Sequence, residues 1–211
     1  MCRFQFWRIL FLSFCQPFIK ATDVSCRYSS NHRVLRNIFR YHGSGSYKVG
    51  ANYAATFRPY KMAHDQGYTE LLFLNSGTRE FVDEFGSSNF FGIKDNKYIT
   101  PLSDSVLPSI TNKSLQTVAE DLGMTVEKRP IPLDELDTFE EAGACGTAVV
   151  ITPMARIDIK PVLGAEEVTR SFVFRPDNTV GPACNALYKR LTGIQFGEIE
   201  DTHGWCHKVD L

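Results

Sequence analysis

The sequence predicts an α+β fold on three observations. Helix and strand patterns interleave without regular alternation, one segment has a strong helical period, and several short apolar runs are separated by turn residues. A doubly wound sheet would alternate strand and helix in strict turn. The chain has 211 residues, 43% of them hydrophobic, enough for a substantial core in one large domain or two small ones.

Asn52 to Gln66 has helical composition and Gly67 stops it. Pro59 lies inside and predicts a kink or break, because an interior proline costs an undistorted helix roughly 3 kcal/mol. Glu70–Leu74 reads as a short apolar strand, and Asn75-Ser76-Gly77-Thr78 as a turn. Glu80–Asp83 and Asn89–Ile93 read as strands around a Gly86-Ser87-Ser88 loop, and Asp95-Asn96 turns the chain into Tyr98–Thr100. The clearest helix places Leu115, Val118, Ala119 and Leu122 at i, i+3, i+4 and i+7, with Gly123 as its stop and Thr111 or Asn112 as its N-cap. A strand at Thr125–Arg129, a short acidic helix near Asp134–Glu141 and an apolar strand at Thr147–Ile151 follow. Phe172–Phe174 reads as a strand, about Ala183–Leu191 as a helix, and an aromatic tail ends His203-Gly204-Trp205.

The formal charge of −1 hides an asymmetry. Residues 1–40 carry seven Lys/Arg against one Asp, and residues 41–211 carry sixteen basic against twenty-three acidic groups. The sequence therefore divides into an atypical basic leader, 1–40, outside the domain, and a domain over 41–211. Ile9–Phe14 resembles the apolar region of a signal peptide, but Gln16-Pro17 breaks it, no small-x-small site follows closely, and it is too short to span a bilayer. Residues 22–40 show neither helical nor strand period.

Cysteines fall at 2, 15, 26, 145, 184 and 206, with no Cys-x-x-Cys pair and no histidines at ligand spacing, so no metal is expected. Those after the leader are expected to stay reduced in a cytoplasmic protein. After residue 41 no basic nucleic-acid patch, repeat or low-complexity tract appears, and neither nucleic acid nor membrane is an expected partner.

Four polar features carry possible chemistry. Ser46-Tyr47-Lys48-Val49-Gly50-Ala51-Asn52-Tyr53 puts a lysine in a glycine-bounded turn ahead of a helical pattern; alone, such a lysine is usually a solvated loop residue. Leu107-Pro108-Ser109-Ile110-Thr111 leads into the strong helix, where backbone N–H groups and a threonine hydroxyl could hold a phosphate or simply cap the helix. Ala144-Cys145-Gly146-Thr147-Ala148 is a small-residue turn whose N–H donors an anion could approach closely, or an ordinary tight turn. Glu84, beside Phe85-Gly86 at a strand end, is either a solvated carboxylate or a partly desolvated one.

In this order and spacing, these segments resemble the cofactor-binding large domain of branched-chain amino acid aminotransferases, the fold type IV family of pyridoxal phosphate enzymes. The resemblance runs from about Ser46 to the end and rests on Lys48–Ala55, Asp83-Glu84 with Asn89-Phe90-Phe91, Leu107–Thr111, and Gly146-Thr147-Ala148 with Thr152-Pro153. It implies pyridoxal 5′-phosphate as cofactor and Lys48 as the catalytic Schiff-base lysine, which moves a proton once substrate displaces it. Glu84 is implied as the pyridine-nitrogen partner, Tyr53 as the donor to the cofactor 3′-oxygen, and Ile110, Thr111 and Thr147 as phosphate contacts. The N–H groups of Thr147 and Ala148 are implied to receive the substrate α-carboxylate.

The implied reaction transfers the amino group of leucine, isoleucine or valine to 2-oxoglutarate, with amino acid and 2-oxo acid substrates and a homodimer in the full architecture. A D-amino acid aminotransferase or aminodeoxychorismate lyase of the same fold is the enzymatic alternative; a non-catalytic remnant or gene-model artefact is the alternative of another class. Ala51 stands where the family has a second glycine, Pro59 falls in a helix, and Ser109 replaces the commoner glycine, which a serine tolerates if its φ stays negative. The small N-terminal domain, which supplies an arginine to the phosphate, is not recognisable in residues 1–40. The expectation is a truncated chain with weakened cofactor retention and little transamination.

Overall fold

The computed structural model describes residues 22–27, 46–54, 56–75, 77–161, 165–207 and 209; the apolar run at 9–14 lies outside them. The elements in order are β1 (Thr22–Arg27), α1 (Gly50–Ala54), α2 (Phe57–His64), β2 (Glu70–Leu74), β3 (Phe81–Phe85), β4 (Asn89–Lys94), β5 (Lys97–Pro101), α3 (Ile110–Asp121), β6 (Thr125–Arg129), β7 (Ile131–Pro132), a 3-10 turn (Leu133–Thr138), β8 (Glu141–Gly146), β9 (Val150–Lys160), β10 (Arg170–Val173) and α4 (Pro182–Gln195). No helix among them is long and apolar enough to cross a membrane.

The strands form one mixed sheet in the order β6-β5-β4-β8-β9-β1-β2-β3-β7, with β10 also on β9. β3 meets β4 as well, through the pair Glu84–Asn89, so the sheet curls back on itself. β1 lies parallel between β9 and β2, although residues 22–27 show no strand period in the sequence.

Both faces of the central strands are buried. Phe90, Ile99, Ala144 and Met154 join a cluster with Leu72, Val82 and Phe85 inside the curl. Phe91, Tyr98, Cys145 and Ile151 face the other way, under Leu115 and Val118 of α3 and Leu187 and Leu191 of α4. Gly143 is required there, because a Cβ at that position would lie 2.5 Å from the Phe91 ring.

Several elements differ from the sequence reading. The break in the first helical stretch falls between Ala54 and Phe57, ahead of Pro59. Pro59 occupies the first turn of α2, where its missing N–H would have had no helical partner anyway. Gly67, at φ 85°, ends α2 as expected, with Tyr68 N–H donating to Ala63 O at 3.1 Å and Gly67 N–H to His64 O at 2.9 Å, the Schellman pattern. The N-cap of α3 is Ser109, two residues before Thr111, because its Oγ accepts from Asn112 N–H at 3.2 Å. Leu122 ends that helix 41% exposed, outside its buried stripe.

The expected acidic helix near 134–141 is a 3-10 turn that stops at Thr138, since Glu141 already belongs to β8. Residues 147–149 form a turn, not the start of a strand; β9 begins at Val150 and runs 11 residues, well past Ile151.

Candidate active site

Three of the expected features meet at one end of the curled sheet. Hydrogen bonding of Phe85 N–H to Ser88 O at 2.9 Å closes the β3–β4 hairpin and sets Glu84 opposite Asn89. Asn89 is in turn opposite Cys145 of β8, two residues before Thr147. A Cβ on Gly146 would sit 3.6 Å from Ser88 Cβ, so the hairpin turn and the start of the Thr147–Val149 turn are neighbours.

The third feature, the start of α3, is tied to Glu84 directly. Leu107 N–H donates to Glu84 Oε2 at 3.3 Å, and Asn89 Nδ2 donates to Leu107 O at 2.9 Å and to Glu84 Oε2 at 3.4 Å. Asn89 therefore braces both the carboxylate and the loop leading to the helix. Ser109 has φ −70°, the negative value that lets a serine stand there. Its hydroxyl occupies the N–H of Asn112, whereas those of Ile110 and Thr111 have no partner among the described residues. The N–H groups of Thr147 and Ala148 are likewise unpaired among the described residues.

Burial pushes the Glu84 carboxyl up to about 8, with the neighbouring Asp83 adding to the rise and the Leu107 N–H opposing it. No cationic side chain among the described residues pairs with it. A carboxylate buried against donors but without a positive partner favours a cationic group brought in from outside.

Lys48 and Tyr53 are placed differently. Lys48 is exposed just ahead of α1, and its ammonium makes no hydrogen bond or ion pair among the described residues. Tyr53 is half-buried on α1, whose local bonds are Asn52 Nδ2 to Tyr47 O at 2.9 Å and Thr56 Oγ1 to Tyr53 O at 2.8 Å. α2 approaches the same hairpin: a Cβ on Gly86 would meet the Tyr60 ring at 2.9 Å. Thus the fold joins Glu84, Ile110-Thr111 and Thr147-Ala148, and no hydrogen bond among the described residues links the side chains of Lys48 or Tyr53 to them.

Residues 27–157, more than half of the chain, match the family model for Amino-transferase class IV. The chain belongs to the class IV aminotransferases.

A branched-chain-amino-acid aminotransferase of Haemophilus influenzae is 45% identical over 175 residues, covering 80% of this class IV chain and 49% of that protein. One from Helicobacter pylori is 42% identical over 169 residues, covering 79% and 46%. Among solved structures, the branched-chain amino acid aminotransferase of Thermobaculum terrenum in its PLP form has a TM-score of 0.65 at 26% identity, over 85% of this chain and 52% of that one. The corresponding Escherichia coli enzyme has a TM-score of 0.69 at 24% identity, over 90% and 58%. The shared architecture is the fold type IV arrangement. The chain spans about half the length of the curated relatives it matches.

In this class IV aminotransferase chain, sequence reasoning did not assign roles to Asn89 or to the Leu107 backbone. The signal for Asn89 was available: the Gly86-Ser87-Ser88 loop sets residues 84 and 89 across from each other. The Leu107 contact, between residues 23 apart, had no local signal.

Proposed function

We propose that this chain is the cofactor-binding portion of a pyridoxal 5′-phosphate-dependent branched-chain amino acid aminotransferase. It moves an amino group between leucine, isoleucine or valine and 2-oxoglutarate. The observation that carries the reading is the Glu84 cluster: a carboxyl raised to about 8 by burial, without a cationic partner among the described residues, beside a helix start with unpaired N–H groups. A protonated ring nitrogen at Glu84 supplies the absent positive charge, and a phosphate at Ile110 and Thr111 supplies the absent acceptor. Both groups belong to one cofactor. The names of the Haemophilus influenzae and Helicobacter pylori relatives, and the PLP form of the Thermobaculum terrenum structure, support the same reading.

When bound, the cofactor supplies an electron sink for the carbanion formed at the substrate α-carbon. Lys48 would be its covalent attachment point, and, once the substrate amine had displaced it, the freed Lys48 Nζ would take up and return the α-proton. Glu84 keeps the ring nitrogen protonated by offering it a carboxylate. The Tyr53 phenol donates to the ring oxygen, and the Thr147 hydroxyl adds a contact to the phosphate. The Thr147 and Ala148 N–H groups hold the substrate carboxylate. Fixing both anions orients the α-carbon, and orientation of this kind is worth about 7–11 kcal/mol in favourable cases.

Apolar side chains stand exposed on the segments that carry the site: Tyr47 67%, Phe57 71%, Leu102 62% and Ile110 74%. Such a surface fits coverage by further polypeptide, as in the homodimer we propose. The functional test is to load the chain with pyridoxal phosphate and follow its visible absorbance as L-leucine is added. The expected result is loss of the band with one equivalent of 2-oxo acid released, slowed more in Glu84→Gln than cofactor binding is weakened. Faster loss with D-alanine than with L-leucine would favour the D-amino acid aminotransferase alternative.

A further inference from the structure

The first turn of α3 carries a buried amide side chain, Asn112, that has no role in the chemistry above. An amide so placed is costly to bury unless its polar atoms find partners, and here they do. Asn112 Oδ1 accepts from the Tyr98 hydroxyl at 2.9 Å and from Gln116 Nε2 at 3.2 Å, while Asn112 Nδ2 donates to Thr100 Oγ1 at 3.0 Å. Thr100 Oγ1 in turn donates to Phe90 O at 2.9 Å. Tyr98, Thr100 and Gln116 are buried as well.

These bonds run from the helix start to the strands that carry the rest of the site. Asn112 directly follows Ile110 and Thr111, and its own N–H is the one capped by Ser109 Oγ. Phe90 directly follows Asn89, whose side chain holds Glu84 and Leu107 O. The Tyr98 ring stacks on Phe91 with centroids 4.8 Å apart, and its hydroxyl lies 4.0 Å from Cys145 Sγ, just ahead of the Gly146-Thr147-Ala148 turn. Apolar packing under α3 is non-directional, so it holds the helix down without fixing its rotation or its position along the sheet. Hydrogen bonds to defined atoms of β5 fix both.

We propose that Tyr98, Thr100 and Asn112 are positioning residues: their buried hydrogen bonds lock the first turn of α3 to β4 and β5, and so set the N–H groups of Ile110 and Thr111 relative to Glu84. This rests on the cofactor reading for what those N–H groups receive, while the lock itself depends only on the geometry of the chain. The three side chains act through the backbone of α3. Their action is felt at the phosphate end of the ligand.

The test uses three variants of the full chain. Tyr98→Phe removes the hydroxyl and keeps the stacked ring, Thr100→Val removes a hydroxyl at nearly constant size, and Thr100→Ser keeps it. Each is titrated with pyridoxal 5′-phosphate and, separately, with pyridoxal, which lacks the phosphate. Tyr98→Phe and Thr100→Val are expected to weaken pyridoxal phosphate binding on the order of 5-fold. Pyridoxal binding should stay within about two-fold, because the displaced groups lie at the phosphate end. Thr100→Ser should restore most of the affinity. A general loosening of the fold would weaken both ligands alike, so equal losses, or no loss for either, would overturn the proposal.

Amide exchange in the ligand-free chain separates the lock from the cofactor reading. The N–H groups of Asn112 and Lys113 both bond to Ser109, at 3.2 Å and 3.0 Å. Tyr98→Phe and Thr100→Val should speed their exchange on the order of 5-fold relative to Val118 and Ala119 at the centre of α3. If neither ligand binds the unaltered chain, the cofactor reading fails and this exchange decides the lock. Unchanged exchange at both amides overturns it.

Discussion

Replacing Glu84 by glutamine should change how the stability of the cofactor-free chain depends on pH. Burial holds the Glu84 carboxyl at about 8, against an ordinary 4.5. The folded chain therefore keeps a proton that the unfolded chain releases. Its contribution is complete below about pH 4.5 and is lost as pH rises through 8. At 1.36 kcal/mol per unit, the difference amounts to about 5 kcal/mol at full strength; residual solvent around this half-buried side chain reduces the expectation to about 2–3 kcal/mol. A domain of this kind has roughly 5–15 kcal/mol in total, so the effect is measurable. Urea unfolding at intervals from pH 5 to 9 should show the unaltered chain losing stability relative to Glu84→Gln by that amount. Asp83, which burial holds at about 6, titrates in both proteins and largely cancels in the comparison. Saturating pyridoxal phosphate should remove most of the difference, because the ring nitrogen then stabilises the ionised carboxylate. Parallel pH profiles for the two proteins would refute the buried, unpaired state of Glu84.

Glu141, 4% exposed, caps α4 from β8, accepting from Ala183 N–H at 2.9 Å, Cys184 N–H at 2.8 Å and Arg175 Nη2 at 3.2 Å. Glu141→Ala leaves these donors unpaired and should lower stability by about 3–5 kcal/mol in urea unfolding. Gly181→Ala should also destabilise, by about 1–3 kcal/mol, because its Cβ would lie 2.0 Å from the Glu141 carboxyl carbon. Ser109→Ala removes the α3 cap and should lower stability by about 1 kcal/mol, read from the same curves.

Legibility tracked how local the determining interactions are. The α3 stripe was visible because Leu115, Val118 and Ala119 recur at the helical period and all meet the same sheet face. Gly67 and Gly123 marked helix ends because the chain there needs positive φ. β8 was not anticipated: Glu-Ala-Gly-Ala-Cys-Gly holds no branched or aromatic residue, and the missing Cβ of Gly143 is what leaves room for the Phe91 ring. β9 was cut short because a strand buried on both faces shows no period of two. β1 depends on pairing with β9 and β2 rather than on a pattern of its own. At the candidate site, each segment alone was ordinary, and the resemblance emerged from four segments in register. The bracing of Glu84 by Leu107 and the capping of α4 by Glu141 join residues far apart in the chain, which no local pattern records.

The central claim is that Lys48 binds pyridoxal phosphate covalently. Sodium borohydride reduction of the chain mixed with the cofactor, followed by proteolysis and mass spectrometry, reads this directly. The phosphopyridoxyl mass is expected on the peptide containing Lys48, and its loss is expected in Lys48→Ala with no transfer to another lysine. Labelling spread over surface lysines, or unchanged labelling in Lys48→Ala, would contradict it.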